Sequence, residues 1–277
     1  MGRNVDLVMA VKMLDRAKSR LVGAADNGIG DAATHAELVT ALAVDTVSAA
    51  MAAEGVGRVV VVTSDPELAA TLRSEGVDTI PEGPEPGLNA ALRHGAAQLG
   101  PLVGALQADL PALRPAELAA ALAEADGRRV FCADRHGTGT TLLVAAPGAA
   151  LDPRFGPDSA RTHVASGAVP LVGDWPSLRC DVDTAADLAV AARIGLGRRT
   201  AARVSLSARH RSATVEQATV HTVHPDGSVT MLRDDGVLVD ASATAVAVGG
   251  WRRPRPGQRV TLHRTDGTVT EVGRPVA

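Results

Sequence analysis

A run such as Arg58–Thr63 (RVVVVT) leaves a chain few options. Four successive valines offer water no polar side. They fit a strand covered on both faces, the situation of a parallel sheet. Val5–Val11 (VDLVMAV) is a second run of this kind. Between the two, Asp31–Glu54 carries Ala and Leu at helical spacing, with Gly55 placed to end the helix. Ser64, Asp65 and Pro66 then supply capping side chains and a first-turn proline for a helix that runs to Gly76. The alternation continues. Val77–Ile80 is a short strand, Pro81–Gly87 (PEGPEPG) a loop, Leu88–Leu99 a helix and Leu102–Gln107 a strand. Pro115–Ala125 is helical, Val130–Ala133 and Thr141–Ala145 are strand-like, and Ala185–Ile194 is a helix ended by Gly195. Strands separated by helices make βαβ units, so the expected class is α/β, a Rossmann-like domain with a mostly parallel sheet.

The pattern changes at Arg198–Arg211 (RRTAARVSLSARHR), a basic, Ser/Ala-rich stretch without core spacing. It reads as a linker or a loosely held helix end. Beyond it no helix is expected. Short Val/Thr runs are separated by His224–Pro225–Asp226–Gly227, Asp234–Asp235–Gly236 and Asp266–Gly267. Asp-Gly between such runs is a strong hairpin signal. Residues 215–273 therefore read as a small antiparallel, all-β barrel of about five strands. The expected division is 1–204 for the α/β domain and 205–277 for the linker and barrel.

Composition narrows the function. The chain has 277 residues, a net charge of −3 and 45% hydrophobic residues, the balance of a folded soluble protein. No apolar run is long enough to span a bilayer, and the first residues lack a leader's cleavage site, so cytosol is expected and membrane is not. Cys132 and Cys180 give neither a metal-ligand spacing nor a disulfide framework. Only Phe131, Phe155, Trp175 and Trp251 are aromatic. Four rings build no base-stacking platform, and the charge gives no drive toward nucleic acid. The segment Trp251–Arg259 (WRRPRPGQR) joins a ring to several arginines, but aspartates elsewhere in the barrel nearly cancel its charge. Packing, oligomerisation or channelling is favoured there over RNA binding.

Six segments suggest chemistry. The two lysines of this Arg-rich chain, Lys12 and Lys18, fall in Ala10–Leu21 (AVKMLDRAKSRL) with Arg16 and Arg20. Ligands of such sheets sit outside the carboxyl ends of the strands, and cations there suit a polyphosphate. The plain alternative is a solvated basic turn. In Leu106–Leu113 (LQADLPAL) a strand runs straight into Asp109, placing one carboxylate at the sheet edge to hold a divalent metal or merely to cap a turn. In Arg179–Thr184 (RCDVDT), Asp181 and Asp183 alternate across Val182 and so share a face. With Asp109 they form a three-carboxylate set for one or two Mg²⁺; the alternative is helix capping by Asp183 or Thr184. Asp134–Thr141 (DRHGTGTT) is an anion cradle or a hairpin turn, and Asp152–Ser159 (DPRFGPDS) an anion site or a plain helix start. Pro86–Asn89 (PGLN) opens a helix after a loop that wraps a nucleobase or simply connects. His136 and His163 show no partner and read as surface or cap residues. No G-x-G-x-x-G, Walker A, G-x-S-x-G or H-E-x-x-H pattern is present.

Taken in order, AVKxLxxAKSRL, strand–Asp–Leu–Pro, DRxGTGT, LDPRFGPDS and RCDVDT resemble the phosphoenolpyruvate / 2-phospho-L-lactate guanylyltransferase family of coenzyme F-420 biosynthesis, in its actinobacterial form. The resemblance covers roughly residues 5–200. It implies a nucleotidyltransferase fold and a reaction that joins GMP from GTP to phosphoenolpyruvate with release of diphosphate. The same reaction on 2-phospho-L-lactate or 3-phosphoglycerate, a pterin or sugar-phosphate nucleotidyltransferase, and a non-catalytic nucleotide-binding module are the alternatives. Carried over residue by residue, it implies metal ligation by Asp109, Asp181 and Asp183. It also implies phosphoacid contacts at Thr140, Gly156 and Ser159, and GTP-phosphate contacts along Lys12, Arg16, Lys18 and Arg20. Of these, Lys12, Lys18 and Arg20 are the expected catalytic cations, and Asn89 is the expected contact on the nucleotide side. Partners are GTP and a three-carbon phosphoacid, with a homodimer and the downstream transferase of the pathway as further expectations. Ala108 departs from the family's tendency to Gly before the aspartate, and the C-terminal barrel has no counterpart in its shorter members.

Overall fold

The computed structural model describes residues 4–11, 18–24, 31–251, 253–265 and 268–275. Two compact units divide the chain, Met1–Val204 and Ser205–Ala277. In the first, strand β1 (Val5–Ala10) is followed by a 3₁₀ turn at Ser19–Leu21 and helix α1 (Ala32–Met51). Then come β2 (Val56–Val62), α2 (Pro66–Ser74), β3 (Asp78–Ile80), α3 (Leu88–Ala96) and β4 (Val103–Leu106). The unit continues through α4 (Pro115–Ala125), β5 (Val130–Ala133), β6 (Thr140–Val144), α5 (Ser159–Ala165), β7 (Val169–Pro170) and α6 (Ala185–Ile194).

The seven strands lie in the order β3-β2-β1-β4-β6-β5-β7. The pairs β3–β2, β2–β1, β1–β4 and β5–β7 are parallel, while β6 runs antiparallel to β4 and β5. The sheet is therefore mostly parallel, with one reversed strand. Alternation along each strand sends successive side chains to opposite faces. Leu7, Met9, Val59, Val61 and Leu106 pack with α1, α2 and α4 on one face. Val8, Val62, Ala105, Leu143 and Phe131 pack with α3 and the segment leading into α5 on the other. Each fully buried Val or Leu contributes about 1.5–3 kcal/mol. This double burial is why the strands need unbroken apolar runs.

Helix starts follow the sequence. Asp31 accepts the Thr34 N–H at 2.7 Å, and Asp65 accepts those of Glu67 and Leu68 ahead of Pro66. The stretch after α6, expected to be a linker or a loosely held helix end, is a full helix, α7 (Arg198–Ser212). Asp45 of α1 accepts the N–H groups of Arg199 (3.1 Å) and Thr200 (2.7 Å), so a side chain distant in sequence caps this helix. Arg199 pairs with Glu75 and Arg203 with Glu37, and Thr200 is fully buried.

The second unit is a five-stranded antiparallel sheet curled into a half-barrel. Its strands are β8 (Ala213–Val223), β9 (Val229–Arg233), β10 (Leu238–Ala241), β11 (Arg259–Thr265) and β12 (Thr268–Gly273), in the order β10-β9-β8-β11-β12. One short helix, α8 (Ala243–Val248), interrupts what the sequence suggested was helix-free. Ser242 caps it, and Ala245 and Val246 close the core with Val220, Met231, Val260 and Leu262. The turns at Pro225–Gly227 and Asp234–Gly236 are present, while Asp266 and Gly267 lie outside the described residues. Each unit carries one tryptophan beneath an arginine: Trp175 under Arg179 in the first, Trp251 under Arg274 in the second. Cys132 and Cys180 are free and buried.

Helix α3 approaches the sheet closely at Gly95, where an added Cβ would lie 2.5 Å from Val8 Cγ2 and 2.6 Å from Val62 Cγ2. Both neighbours are stiff β-branched side chains. Gly95→Ala is expected to destabilise the first unit by about 1–3 kcal/mol, the cost of overpacking a filled core. Urea unfolding measures it, and an unchanged midpoint contradicts this packing.

Candidate active site

A cavity of about 440 Å³ opens at the carboxyl ends of β1 and β4, lined by Lys18, Arg20, Gln107, Asp109, Asp181 and Asp183 among others. Its acidic wall is assembled by backbone. The Val182 N–H donates to the Asp109 carbonyl at 3.0 Å, joining the segment after β4 to the segment before α6. The Leu110 N–H donates to Thr46 Oγ1 of α1 at 2.9 Å, fixing the first of these segments. Cys180 and Val182 are buried with Leu21, Leu38, Leu42 and Leu188. Their burial turns the alternate residues, Asp181 and Asp183, toward the opening. Helix α6 is capped by Thr184 and Asp187 in a reciprocal capping box, and Arg135 pairs with Asp187. Asp183 is therefore not spent as a cap, and Thr184 takes that part.

Charge dominates this wall. Burial pushes the Asp181 carboxyl up to about 7, and the neighbouring carboxylates of Asp109 and Asp183 push it the same way. The Lys18 ammonium opposes them by bridging Asp109 and Asp183. Burial lowers the basicity of Lys18, but the two carboxylates outweigh burial and raise it above the usual lysine range. Lys18 holds this place with a left-handed backbone, φ +55°, a conformation that costs a non-glycine residue about 1 kcal/mol and recurs at functional sites. Arg20, in the 3₁₀ turn that follows, is exposed at the cavity edge. Lys12 and Arg16, expected beside them, lie outside the described residues.

The donor set has the chemistry of a hard divalent cation: three carboxylates on one wall, and a buried Asp109 Oδ1 without a hydrogen-bond partner. With Lys18 between two of the carboxylates, no group of three acidic, His or Cys side chains among the described residues stands in a metal-holding arrangement. The ammonium takes up two of the carboxylates in this donor set.

A second cluster adjoins the first. Gln107 lines the cavity, and its amide donates to the Thr140 carbonyl at 3.5 Å. Thr140 opens β6 and is buried, as is Ser159, the first residue of α5. The Ser159 hydroxyl donates to Thr140 Oγ1 at 3.2 Å. Gly156, with φ +142° and open space around its Cα, lets the chain turn into Ser159. Asn89 is held differently from expectation. Its amide donates to the Phe155 carbonyl at 2.9 Å and its carbonyl accepts the Phe155 N–H at 2.8 Å. Both ends of the side chain are engaged in fixing the loop that carries Gly156. In the Asp134–Gly139 turn, Asp134 Oδ1 accepts the N–H groups of His136 and Thr138, which leaves these amides no role in an anion cradle. His136 is exposed, as the sequence suggested, but His163 is fully buried and doubly partnered. Its place on α5, four residues after Ser159, was the available signal, since residues so spaced share a helix face. Gln107 was legible only as the residue two before Asp109.

The mostly parallel fold with its acid-lined cavity at the carboxyl edge defines a nucleotidyltransferase. Residues 34–166 match the MobA-like NTP transferase domain. A nucleotidyl transferase structure from Methanothermobacter superposes with a TM-score of 0.50 at 19% identity, covering 70% of this chain and 98% of that one. A Desulfovibrio desulfuricans protein named for nucleotide-diphospho-sugar transfer gives 0.55 at 16% identity, covering 74% and 98%. These two show the fold alone. In sequence, the chain is 55% identical over 199 residues to the phosphoenolpyruvate guanylyltransferase of Salinispora arenicola, covering 70% of this chain and 91% of the relative. Proteins of the same name from Streptomyces scabiei (52%, covering 71% and 94%) and Geodermatophilus obscurus (49%, covering 73% and 95%) are also similar. The chain belongs to the phosphoenolpyruvate guanylyltransferase family.

The raised Asp181 carboxyl has a consequence for stability. Its folded value of about 7 lies above the ordinary aspartate value, so the folded state holds a proton that the unfolded state releases. Stability contributed by this group is present at acid pH and declines as pH rises through about 7. Asp181→Asn is therefore expected to be more stable than the parent at pH 8, by about one to a few kcal/mol, since each tenfold change in proton affinity is worth about 1.4 kcal/mol. The advantage should shrink toward pH 4. Denaturant midpoints at the two pH values test it, and an equal or lower midpoint for the variant at pH 8 refutes the repulsion.

Proposed function

We propose that this chain transfers GMP from GTP to phosphoenolpyruvate and releases diphosphate. The observation that carries the reading is the contact between its two clusters. Through Gln107, a cavity with cations and carboxylates adjoins a hydroxyl pair suited to a small anion. The name borne by relatives 49–55% identical supplies the particular substrates.

A phosphate oxygen of the three-carbon acid attacks the α-phosphorus of GTP in line, the bond from that phosphorus to the bridging oxygen breaks, and diphosphate departs. The attacking oxygen is already anionic at neutral pH, so no general base is needed. The obstacle is repulsion between two anions, and such reactions are catalysed mainly by positioning and charge neutralisation. Lys18 and Arg20, with Lys12 and Arg16 of the same segment, neutralise the GTP phosphates. Thr140 and Ser159 hold the acid, with Gly156 allowing its close approach. Nucleotidyl transfer generally employs divalent metal ions, which supply Lewis-acid charge at phosphate oxygens. Mg²⁺ would be held here by Asp109, Asp181 and Asp183, with Lys18 released to the substrate.

Diphosphate release with Mg²⁺ is the test, crossing GTP, ATP and CTP with phosphoenolpyruvate, 2-phospho-L-lactate and 3-phosphoglycerate. GTP with phosphoenolpyruvate is expected to give the highest kcat/KM, and a clear preference for another pair overturns the substrate reading. Asp109→Asn and Asp183→Asn should each lower turnover at least about a hundredfold with folding intact, a loss typical of a key electrostatic group. Parent-like turnover in both would remove these carboxylates from the mechanism.

A further inference from the structure

His163 is buried in the first unit beside the Thr140–Ser159 pair, and the mechanism above does not use it. The ring centroids of Phe131 and Phe155 lie 5.7 and 5.4 Å from its own, with Phe155 in a T-shaped arrangement. Two of the chain's four aromatic side chains thus enclose one imidazole. Its nitrogens have unlike partners. Nε2 accepts the Arg154 backbone N–H at 3.0 Å, so it carries no proton. Burial pushes the ring's basicity down to a pKa of about 4, and the nearby Arg129 and Arg154 cations act the same way against Asp152. The ring is neutral at pH 7, so Nδ1 bears its one hydrogen. The Ser159 carbonyl, an acceptor, also bonds the ring, in keeping with that tautomer.

Nδ1 lies 2.9 Å from Thr140 Oγ1, so its one hydrogen is shared between that oxygen and the Ser159 carbonyl. Ser159 Oγ donates to the same oxygen. A threonine hydroxyl has two lone pairs and one proton. Both lone pairs are now filled, and among the described residues no acceptor takes the proton. Thr140 is left as a donor only, which suits an anion's oxygen and disfavours a ligand that would donate.

We propose that His163 is a positioning residue that orients the Thr140 hydroxyl proton toward an anionic oxygen of the three-carbon phosphoacid. The inference rests on the substrate reading of the preceding subsection. It adds that the hydroxyl's direction is set from behind by a neutral imidazole and not by the substrate. Arg154, in the loop that carries Gly156, supplies the backbone N–H that selects the tautomer. The loop conformation and the hydroxyl direction are therefore tied together.

Steady-state kinetics on variants of His163 and Thr140 test this. His163→Leu removes the donor and keeps an apolar side chain in the pocket. It is expected to raise KM for phosphoenolpyruvate about tenfold or more, the loss of one hydrogen bond to a charged group. KM for GTP and kcat should change less than about threefold. His163→Asn keeps an N–H near the Nδ1 position and should recover most of the affinity. In a Thr140→Val background, His163→Leu should add no further rise, because its effect passes through that hydroxyl. A KM for phosphoenolpyruvate unchanged in His163→Leu, or a rise that multiplies with Thr140→Val, overturns the proposal. If the leucine variant does not fold, His163→Asn against His163→Gln decides, since glutamine places its amide at the Nε2 position. Equal KM values for these two overturn it as well. A parent enzyme that uses another phosphoacid refutes the substrate reading alone, and the same comparison is then made on that acid.

Discussion

Like charges on one wall are the constraint around which the first unit is built. Asp109, Asp181 and Asp183 are drawn together by the backbone bond between Val182 and Asp109 and by the burial of Cys180 and Val182. Nothing in that packing relieves their repulsion. The relief comes from Lys18, delivered on a turn whose Leu21 is anchored in the same apolar cluster as Val182. Core packing and site electrostatics therefore share residues. The apolar cluster that sets which way the aspartates face also holds the turn that compensates them.

The sheet supplies rigidity for this arrangement. Its strands are buried on both faces, and the acidic and hydroxyl clusters stand at the ends of β4 and β6, neighbours in the sheet. The step from Asp109 to Thr140 is bridged twice, by the Gln107 amide and by the Gln107 N–H bonded to the Thr141 carbonyl. On the proposed reading, the two substrates are aligned because Asp109 and Thr140 stand at the ends of adjacent strands. The reversed direction of β6 makes this possible. It brings its first residue, not its last, to the edge where β4 ends.

Much of this was legible in the sequence, for identifiable reasons. Buried parallel strands demand unbroken apolar runs, so β1, β2 and β4 were plain. The alternation of Asp181 and Asp183 across Val182 is a local rule, and the structure obeys it. Features that depend on distant partners were not legible. Helix α7 looked like a linker or a loosely held helix end because its cap is Asp45, more than 150 residues earlier in the chain. Helix α8 is short, and it forms because Ala245 and Val246 complete a core whose shape the sequence does not show. Asn89 looked like a nucleotide contact, but its amide is matched at both ends by the backbone of Phe155. His163 had no visible partner, since the Thr140 hydroxyl and the Arg154 N–H that meet its two nitrogens come from segments outside α5.

The placement of the tryptophans has a practical meaning. The chain has two tryptophans and no tyrosine, and each tryptophan sits in a different unit beneath its own arginine. Intrinsic fluorescence of this protein is therefore a two-channel signal. Replacing either indole by phenylalanine leaves a single emitter that reports one unit alone. Whether the C-terminal half-barrel unfolds with the catalytic unit or separately thus becomes a spectroscopic question that needs no added label.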